Sequence, residues 1–207
     1  MTASLSAPVG ECRFEPEKIK GSRFIACLAP AGSQEEAEAF VIAIRAEFDD
    51  ARHVCWAWRI GDEGEHVRSS DDGEPAGSAG RPILAQLQGH DVIHCVIAVV
   101  RYFGGVKLGV GGLVRAYGGA AGKCLDRCGL APVILTTRLQ IEHDYSCSRA
   151  VETAMHHLGL TALEPDFGQQ VQFFVEVPRE DLESFRREMM ERSAGQVRIK
   201  EVPGQDP

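Results

Sequence analysis

The sequence predicts an α+β fold arranged as two domains. A continuously apolar stretch at 92–100 is typical of a central strand buried on both faces, and apolar residues at helical spacing lie on either side of it. Beyond residue 132 the pattern changes to short alternating strands separated by two helices. Because 44% of the 207 residues are hydrophobic, the chain can form a core in each part. We place the domains at 1–131 and 132–207.

The first predicted elements are two short strands and a helix. Residues 10–15 and 19–28 predict the strands, with a turn at Pro16 between them. Ser33 and Glu36 have the spacing of a capping box, in which both side chains accept backbone hydrogen bonds at a helix start. The apolar residues that follow keep helical spacing: Ala37, Phe40, Val41, Ile44 and Phe48.

Residues 52–60 alternate in the manner of a strand. Trp56 and Trp58 point to one face, which we expect to be buried. His53 and Cys55 point to the other face, which we expect to be only thinly covered.

Residues 61–80 are rich in Gly, Asp, Glu and Ser, so we expect a loop without regular structure. A loop of that length inside a compact domain favours a functional role. Arg81 begins a short helix, since Pro82 is tolerated in a first turn. The apolar strand at 92–100 then carries Arg101 at its end.

A long helix at about 112–128, ended by Gly129, closes the first domain. The elements predicted after it are, in order, a half-exposed strand at 133–141, a helix capped by Asp144 and ended by Gly159, a weak strand at 161–163, a clear strand at 171–177, a helix at 182–189 and a last strand at 197–199. This β-α-β-β-α-β order is that of a ferredoxin-like domain.

The net charge of −8 argues against a protein that coats nucleic acid through bulk electrostatics. Residues 99–127, however, contain five Lys or Arg residues and only one acidic residue, Asp126, so a local basic site lies on an acidic chain. No window approaches the roughly 18 apolar residues of a membrane span, and nothing near Met1 resembles a signal peptide. We therefore expect a cytoplasmic protein without a membrane partner.

Seven cysteines without paired spacing favour reduced thiols over a disulfide framework.

Residues 99–119 contain seven glycines. Arg101, Lys107 and Arg115 are interspersed among them, and backbone N–H groups beside cations at a helix start suit an anion, above all phosphate. The run matches neither the P-loop pattern nor the dinucleotide-binding pattern, which argues against nucleotide hydrolysis by a P-loop. The alternative is that the glycines only allow close packing of a helix on a sheet.

Three parts of the chain resemble the signatures of a known family. They are RYFGGVKLG at 101–109 followed by GGLVRAYGG at 111–119, SDDGEPAGSAGRP at 70–82, and HVCWAW at 53–58. On these motifs the chain resembles the Impact (YigZ-type) family in its bacterial two-domain form.

This resemblance implies a first domain similar to the second domain of a small-subunit ribosomal protein. It implies a second domain similar to the last domain of elongation factor G. Both similarities point to the translation apparatus. Eukaryotic relatives restrain a starvation-responsive kinase that phosphorylates a translation initiation factor, by competing for the activator protein of that kinase.

We therefore expect a translation-associated regulatory protein that binds RNA, the ribosome or a translation-associated protein, with no DNA partner and no cofactor. The candidate residues for anion or RNA binding are Arg101, Tyr102, Gly104, Gly105, Lys107, Gly109, Gly111, Gly112, Arg115 and Tyr117. Bases would stack on Tyr102, Phe103 or Tyr117, although core packing is the alternative for each ring.

The motif loop that accompanies these residues comprises Arg68, Ser70, Asp71, Asp72, Gly73, Glu74, Pro75, Gly77 and Arg81. Its acids have three alternative roles. They could bind Mg²⁺, cap backbone N–H groups, or pair with the cations of the glycine run when no ligand is present. We favour capping over the metal.

An enzyme acting on a small phosphorylated or acyl substrate is an alternative function. His53 and Cys55 would form a Cys–His pair, with Asp71 or Asp72 orienting the histidine. A cysteine is more often a packing residue than a nucleophile, which disfavours this hypothesis. A protein-binding regulator of stress-responsive translation is a further alternative.

Cys124 and Cys128 lie one helical turn apart, as paired metal ligands often do. No second pair has zinc-site spacing, so we expect no structural metal.

Overall fold

The computed structural model describes residues 5–203, and the chain divides into two compact units, Met1–Val133 and Ile134–Pro207. Each unit combines helices with an antiparallel sheet, so the predicted α+β class is confirmed. No helix within residues 5–203 has both the length and the apolar character needed to span a bilayer.

The first unit is built on a five-stranded antiparallel sheet with one helix on one face and two on the other. Its elements are β1 (Ser6–Pro8), β2 (Cys12–Phe14), β3 (Arg23–Pro30), α1 (Gln34–Glu47), β4 (His53–Ile60), β5 (His66–Ser70), α2 (Gly80–Gly89), β6 (Cys95–Tyr102), α3 (Val110–Leu125) and β7 (Leu130–Pro132). The strand order of the sheet is β2-β3-β6-β4-β5, while β1 and β7 form a separate pair.

Helix α1 begins as the capping box predicts. The Ser33 hydroxyl accepts a hydrogen bond from the backbone N–H of Glu36 at 3.2 Å. Ala37, Val41 and Ile44 are buried, which places the apolar stripe of the helix against the sheet.

Strand β6 is the centre of the sheet, with β3 on one side and β4 on the other. Residues 95–100 are completely buried, so the prediction of a strand covered on both faces is confirmed. Val99 and its odd-numbered neighbours pack with α2 and α3, whereas Val100 and its even-numbered neighbours pack on the α1 side. Arg101 therefore points toward α3 and Tyr102 points away from it.

Two expectations for this sheet are wrong. The face that carries Cys55 is not thinly covered, because α2 and α3 pack over it and leave Cys55 completely buried. The stretch 61–80 is not wholly irregular, because β5 pairs with β4 from Trp56↔Ser70 to Ile60↔His66. The side chains of this edge strand are exposed or half-buried, so no apolar alternation marks it in the sequence.

The cysteines also differ from expectation. Cys12 and Cys128 form a disulfide that joins β2 to the residues just after α3, and the other five cysteines are free and buried. The sulfur of Cys124 lies within 4.8 Å of both bridged sulfurs. Cys12 therefore lies beside Cys124 and Cys128, the two cysteines that the sequence places one helical turn apart. Cys12 and Cys128 are 116 residues apart, and no spacing rule connects them.

The second unit has the β-α-β-β-α-β order that the sequence predicts. Its elements are β8 (Thr136–His143), α4 (Ser148–His157), β9 (Leu163–Phe167), β10 (Val171–Pro178), α5 (Leu182–Arg192) and β11 (Arg198–Glu201). The antiparallel sheet has the order β11-β8-β10-β9, so the ferredoxin-like topology is confirmed. The side chain of Asp144 does not cap α4 as expected, since a short 3₁₀ turn at Tyr145–Cys147 lies between them.

Candidate anion-binding site

The three motif segments meet at one pocket of 440 Å³ in the first unit. Strand β4, the loop before α2, the end of β6 and the start of α3 all contribute to it. The lining residues are Arg52, His53, Glu74, Pro75, Arg101, Phe103, Lys107, Leu108, Gly109, Val110 and Leu113.

Sheet register brings two of these residues together. His53 on β4 lies directly opposite Arg101 on β6. Opposite residues of an antiparallel pair point to the same face, here the face covered by α3. Residues about fifty positions apart therefore share one wall of the pocket.

A buried charged network forms the deep part of the pocket. Arg101 Nη1 donates a hydrogen bond to Glu74 Oε1 at 2.5 Å, and the Tyr117 hydroxyl donates to the same oxygen at 2.8 Å. The side chains of Arg101 and Glu74 are only 7% and 5% exposed. Burial raises the pKa of Tyr117 above its ordinary value, which keeps its hydroxyl a donor.

Arg101 retains hydrogen-bonding capacity that this network does not use. Its Nε is buried and has no hydrogen-bond partner within residues 5–203. Unsatisfied buried donors are uncommon in folded proteins, and water or an anion is the usual partner for one beside a pocket. The Glu74–Arg101 pair also agrees with the interpretation in which an acid of the loop pairs with a cation of the glycine run.

The start of α3 forms another wall of the pocket. Gly109 precedes the helix with φ of +71°, no side chain caps the first turn, and that turn contains no acid. The first intrahelical hydrogen bond runs from Leu113 N to Gly109 O, so the N–H groups of the three residues between them have no intrahelical acceptor. These donors and the positive end of the helix dipole create an environment that favours an anion.

Two exposed cations flank this helix start. Lys107 lines the pocket directly from the loop before α3. Arg115, one turn inside the helix, reaches back so that its Nη1 lies 3.7 Å from where a Cβ on Gly111 would stand. Arg115 is outside the pocket lining, but its charge is close to the first turn.

The remaining acids of the motif loop bind the protein itself. The Asp71 carboxylate accepts hydrogen bonds from the backbone N–H groups of Gly77, Ala79 and Gly80 at 2.7–2.8 Å. Burial by itself would raise the pKa of Asp71, but these three donors outweigh it and hold the pKa below its ordinary value. Capping rather than Mg²⁺ binding accounts for its position.

Asp72 is similarly occupied. One carboxylate oxygen accepts a hydrogen bond from Val54 N at 2.6 Å, and the other pairs with Arg45 at 2.7 Å. Asp72 thereby ties the loop to β4 and to α1. Ser70 supports the same turn, since its hydroxyl accepts a hydrogen bond from Asp72 N at 3.2 Å.

The geometry gives no support to a Cys–His nucleophile. Burial raises the pKa of Cys55 to about 12, so the thiol is protonated at neutral pH. Its sulfur donates to the carbonyl oxygen of Asp71 at 3.0 Å and is covered by the helices. His53 Nδ1 lies 2.7 Å from the carbonyl oxygen of Asp72, so neither carboxylate orients the ring.

Neither Tyr102 nor Tyr117 lines the pocket. The Tyr102 hydroxyl donates to Asp50 at 2.6 Å, and Arg23 lies over its ring on the α1 side of the sheet. Tyr117 is completely buried beneath the pocket. The ring that faces the pocket belongs to Phe103, which is 52% exposed and 5.6 Å from the Arg101 guanidinium.

The other motif-loop residues divide between the pocket and the loop itself. Pro75 lines the pocket, and Gly73 passes His53 closely enough that a Cβ would lie 3.5 Å from the ring. Arg81 lies beside Gly77, where its charge also favours ionised Asp71. Arg68 pairs with Glu38 and lies over Trp58, on the opposite side of the sheet from the pocket, so it lies outside the pocket.

The glycines of the run have two kinds of surroundings, close-packed and open. Gly104 is a packing residue, because a Cβ there would lie 1.9 Å from the backbone carbon of Gly21. Gly112 is also close-packed, against Leu108 at 3.0 Å. By contrast, a Cβ on Gly105 or Gly109 would meet nothing within 4 Å. Close packing therefore accounts for Gly104 and Gly112, and anion binding by the open backbone near Gly105 and Gly109 stays a prediction.

A second cavity of 540 Å³ lies in the second unit, and none of the predicted site residues line it. Val151 and Met155 of α4 and Phe173 of β10 contribute to its mainly apolar wall. It has no counterpart of the buried Glu74–Arg101 pair, so we place the candidate site in the first unit.

Comparison with known proteins shows similarity along nearly the whole chain. The Impact N-terminal domain matches residues 20–125, and a domain of unknown function (DUF1949) matches residues 141–196. IMPACT family member YigZ of Escherichia coli is 38% identical over 185 residues, which cover 88% of this chain and 91% of that protein. The chain belongs to the IMPACT family.

Two further proteins extend this assignment. An IMPACT family member of Haemophilus influenzae is 36% identical over 199 residues, covering 95% of this chain and 96% of the relative. A crystal structure described as that of a hypothetical protein matches with a TM-score of 0.71 and 35% identity, covering 99% of this chain and all of the other. The pocket lies within the part that matches the Impact N-terminal domain.

Proposed function

We propose that this IMPACT family protein is a translation-associated RNA-binding protein that holds a phosphate group of RNA at the start of α3. The observation that carries the proposal is the uncapped first turn of α3, which opens onto a pocket lined by Lys107 and Arg101. Backbone N–H groups, a helix dipole and two cations make a site for a compact anion.

An RNA ligand explains more features of this pocket than an isolated small anion does. The exposed ring of Phe103 stands beside the cations, and stacking on an aromatic ring next to a basic site is how proteins hold unpaired bases. The acidic body of the chain restricts such binding to this local site.

The translation context is supported by family membership, because the similarities noted for both domains of the family point to the translation apparatus. Ribosomal RNA is therefore the first RNA to test. The buried thiol of Cys55 and the occupied carboxylate of Asp71 give no comparable support to the enzyme alternative.

Fluorescence titration of single-stranded RNA and of purified ribosomes tests the proposal. Lys107→Ala should weaken binding across sequences and lower the salt dependence of log K by about 0.7–1, the contribution of one phosphate contact. Lys123→Ala is the matched control, because Lys123 is an exposed lysine in the last turn of the same helix. Equal binding by wild type and Lys107→Ala, or no binding by wild type at low salt, would contradict the proposal.

A protein partner is a second candidate, favoured by the apolar surface beside the pocket. Phe103, Val106 and Val110 are each more than half exposed. Phe103→Ala separates the two functions. Weaker RNA binding with an unchanged salt slope supports base stacking, whereas unchanged RNA binding shows that the ring serves another partner.

A further inference from the structure

We propose that the pocket recognises the terminal phosphomonoester of an RNA strand rather than the phosphodiesters within it; this inference rests on the proposed RNA-binding function. The geometric reason is depth. Arg101 lies at the bottom of the pocket with 7% of its side chain exposed, whereas Lys107 is exposed at the rim.

A group must project from the strand to approach the bottom of this pocket. An internal phosphodiester carries a sugar on each side, so the strand limits how close it can come to the buried Arg101. A terminal phosphomonoester has one ester bond and three free oxygens on its outer side. The pocket volume of 440 Å³ is large enough for such a phosphate with its nucleoside.

The charges of the site match the same group. A phosphomonoester carries about −1.5 to −2 charges at neutral pH, against −1 for a diester. Arg101 and Lys107 line the pocket together with Arg52. The start of α3 adds its dipole and its unpaired N–H groups, which suit an anion with several free oxygens.

Glu74 limits the preference of this arrangement for the more highly charged anion. Its carboxylate takes one of the five N–H donors of Arg101, while Nε has no partner within residues 5–203. The negative charge of Glu74 opposes an entering anion in proportion to the charge of that anion, so it weakens the binding of a phosphomonoester more than that of a diester. Glu74→Gln removes that opposition and leaves an amide oxygen to accept the hydrogen bond from Tyr117.

The experiment compares three single-stranded RNA oligonucleotides of one sequence. One carries a 5′-phosphate, one a 3′-phosphate, and one hydroxyls at both ends, with a nucleoside monophosphate as competitor. We expect at least about tenfold tighter binding for one phosphorylated end than for the unphosphorylated strand, the effect of one further hydrogen bond between charged groups. Glu74→Gln should increase this preference, Lys107→Ala should reduce it, and Lys123→Ala should leave it unchanged.

The outcomes separate this inference from the function on which it rests. Equal affinity for all three strands, together with weaker binding by Lys107→Ala, would overturn terminal recognition and leave RNA binding in place. Absence of RNA binding by wild type would overturn both. If the nucleoside monophosphate binds as tightly as the phosphorylated strand, terminal phosphate recognition stands and RNA is not its source.

Discussion

The exit of β6 and the start of α3 use glycine in opposite ways, although Gly104 and Gly109 are only five residues apart. At Gly104 the backbone of the turn before β3 is so close that a Cβ would lie 1.9 Å from the carbonyl carbon of Gly21 and 2.1 Å from Ser22 N. At Gly109 the space is open, and the backbone has φ of +71° and ψ of 164°. The first glycine allows close approach, and the second allows a conformation that L-residues avoid.

This difference shows what can be inferred from a high density of glycines in a sequence. A glycine-rich motif indicates that the backbone itself is needed, but packing and ligand binding need it for separate reasons. Only a backbone that faces an open pocket can offer its N–H groups to a ligand, as the first turn of α3 does. Alanine substitutions in the run distinguish the two uses, because stability and RNA binding respond independently.

The largest effect is expected from Gly104→Ala. The added methyl group overlaps the backbone around Gly21, which cannot rotate away as a side chain would. The shift also disturbs the hydrogen bond from Gly104 N to the hydroxyl of the buried Ser22. We expect the free energy of unfolding of the first unit to fall by at least about 3 kcal/mol, the upper range of overpacking costs. Urea denaturation followed by tryptophan fluorescence measures it, since both tryptophans lie in β4; a loss below about 1 kcal/mol would contradict the packing role of Gly104.

Much of the fold follows from local patterns. The Ser33 capping box predicts where α1 begins, and the alternation of apolar residues in β10 and its neighbours predicts the ferredoxin-like order. Edge strand β5 could not be predicted in this way. Apolar and polar residues alternate only in a strand with one buried face, and the side chains of β5 are exposed or half-buried. The Cys12–Cys128 disulfide depends on tertiary contacts between distant residues.

The site is a more instructive case. The motifs single out β4, the 70–82 loop and the glycine run, and the pocket contains residues from all three. For β6, the face that contributes to the pocket was not predictable. In β6, residues 95–100 are apolar on both faces, so no alternation indicates whether Arg101 or Tyr102 points toward α3. Phe103, rather than Tyr102, faces the pocket as a result.

An intermediate effect is expected from Gly109→Ala. Nothing lies within 4 Å of the added Cβ, so the cost is conformational and amounts to about 1–3 kcal/mol. Relaxation of this strain would turn the first N–H groups of α3 away from the pocket, so RNA affinity should fall as well. Titration and urea denaturation of the same preparation measure both quantities. Normal RNA affinity in a destabilised Gly109→Ala protein would show that the helix start does not contact the ligand.

The smallest effect is expected from Gly119→Ala, and it has the opposite sign. Gly119 lies inside α3, and a Cβ there would meet nothing within 4 Å. Alanine in a helix interior is more favourable than glycine by about 0.5–1 kcal/mol, so the first unit should become more stable. Because nine residues separate Gly119 from the first residue of the helix, it lies roughly 13 Å along the axis from the anion site. RNA affinity should therefore remain that of wild type, which makes this variant the control for Gly104→Ala and Gly109→Ala. A clear loss of affinity in Gly119→Ala, measured by the same titration, would mean that the ligand extends along α3 well beyond the pocket.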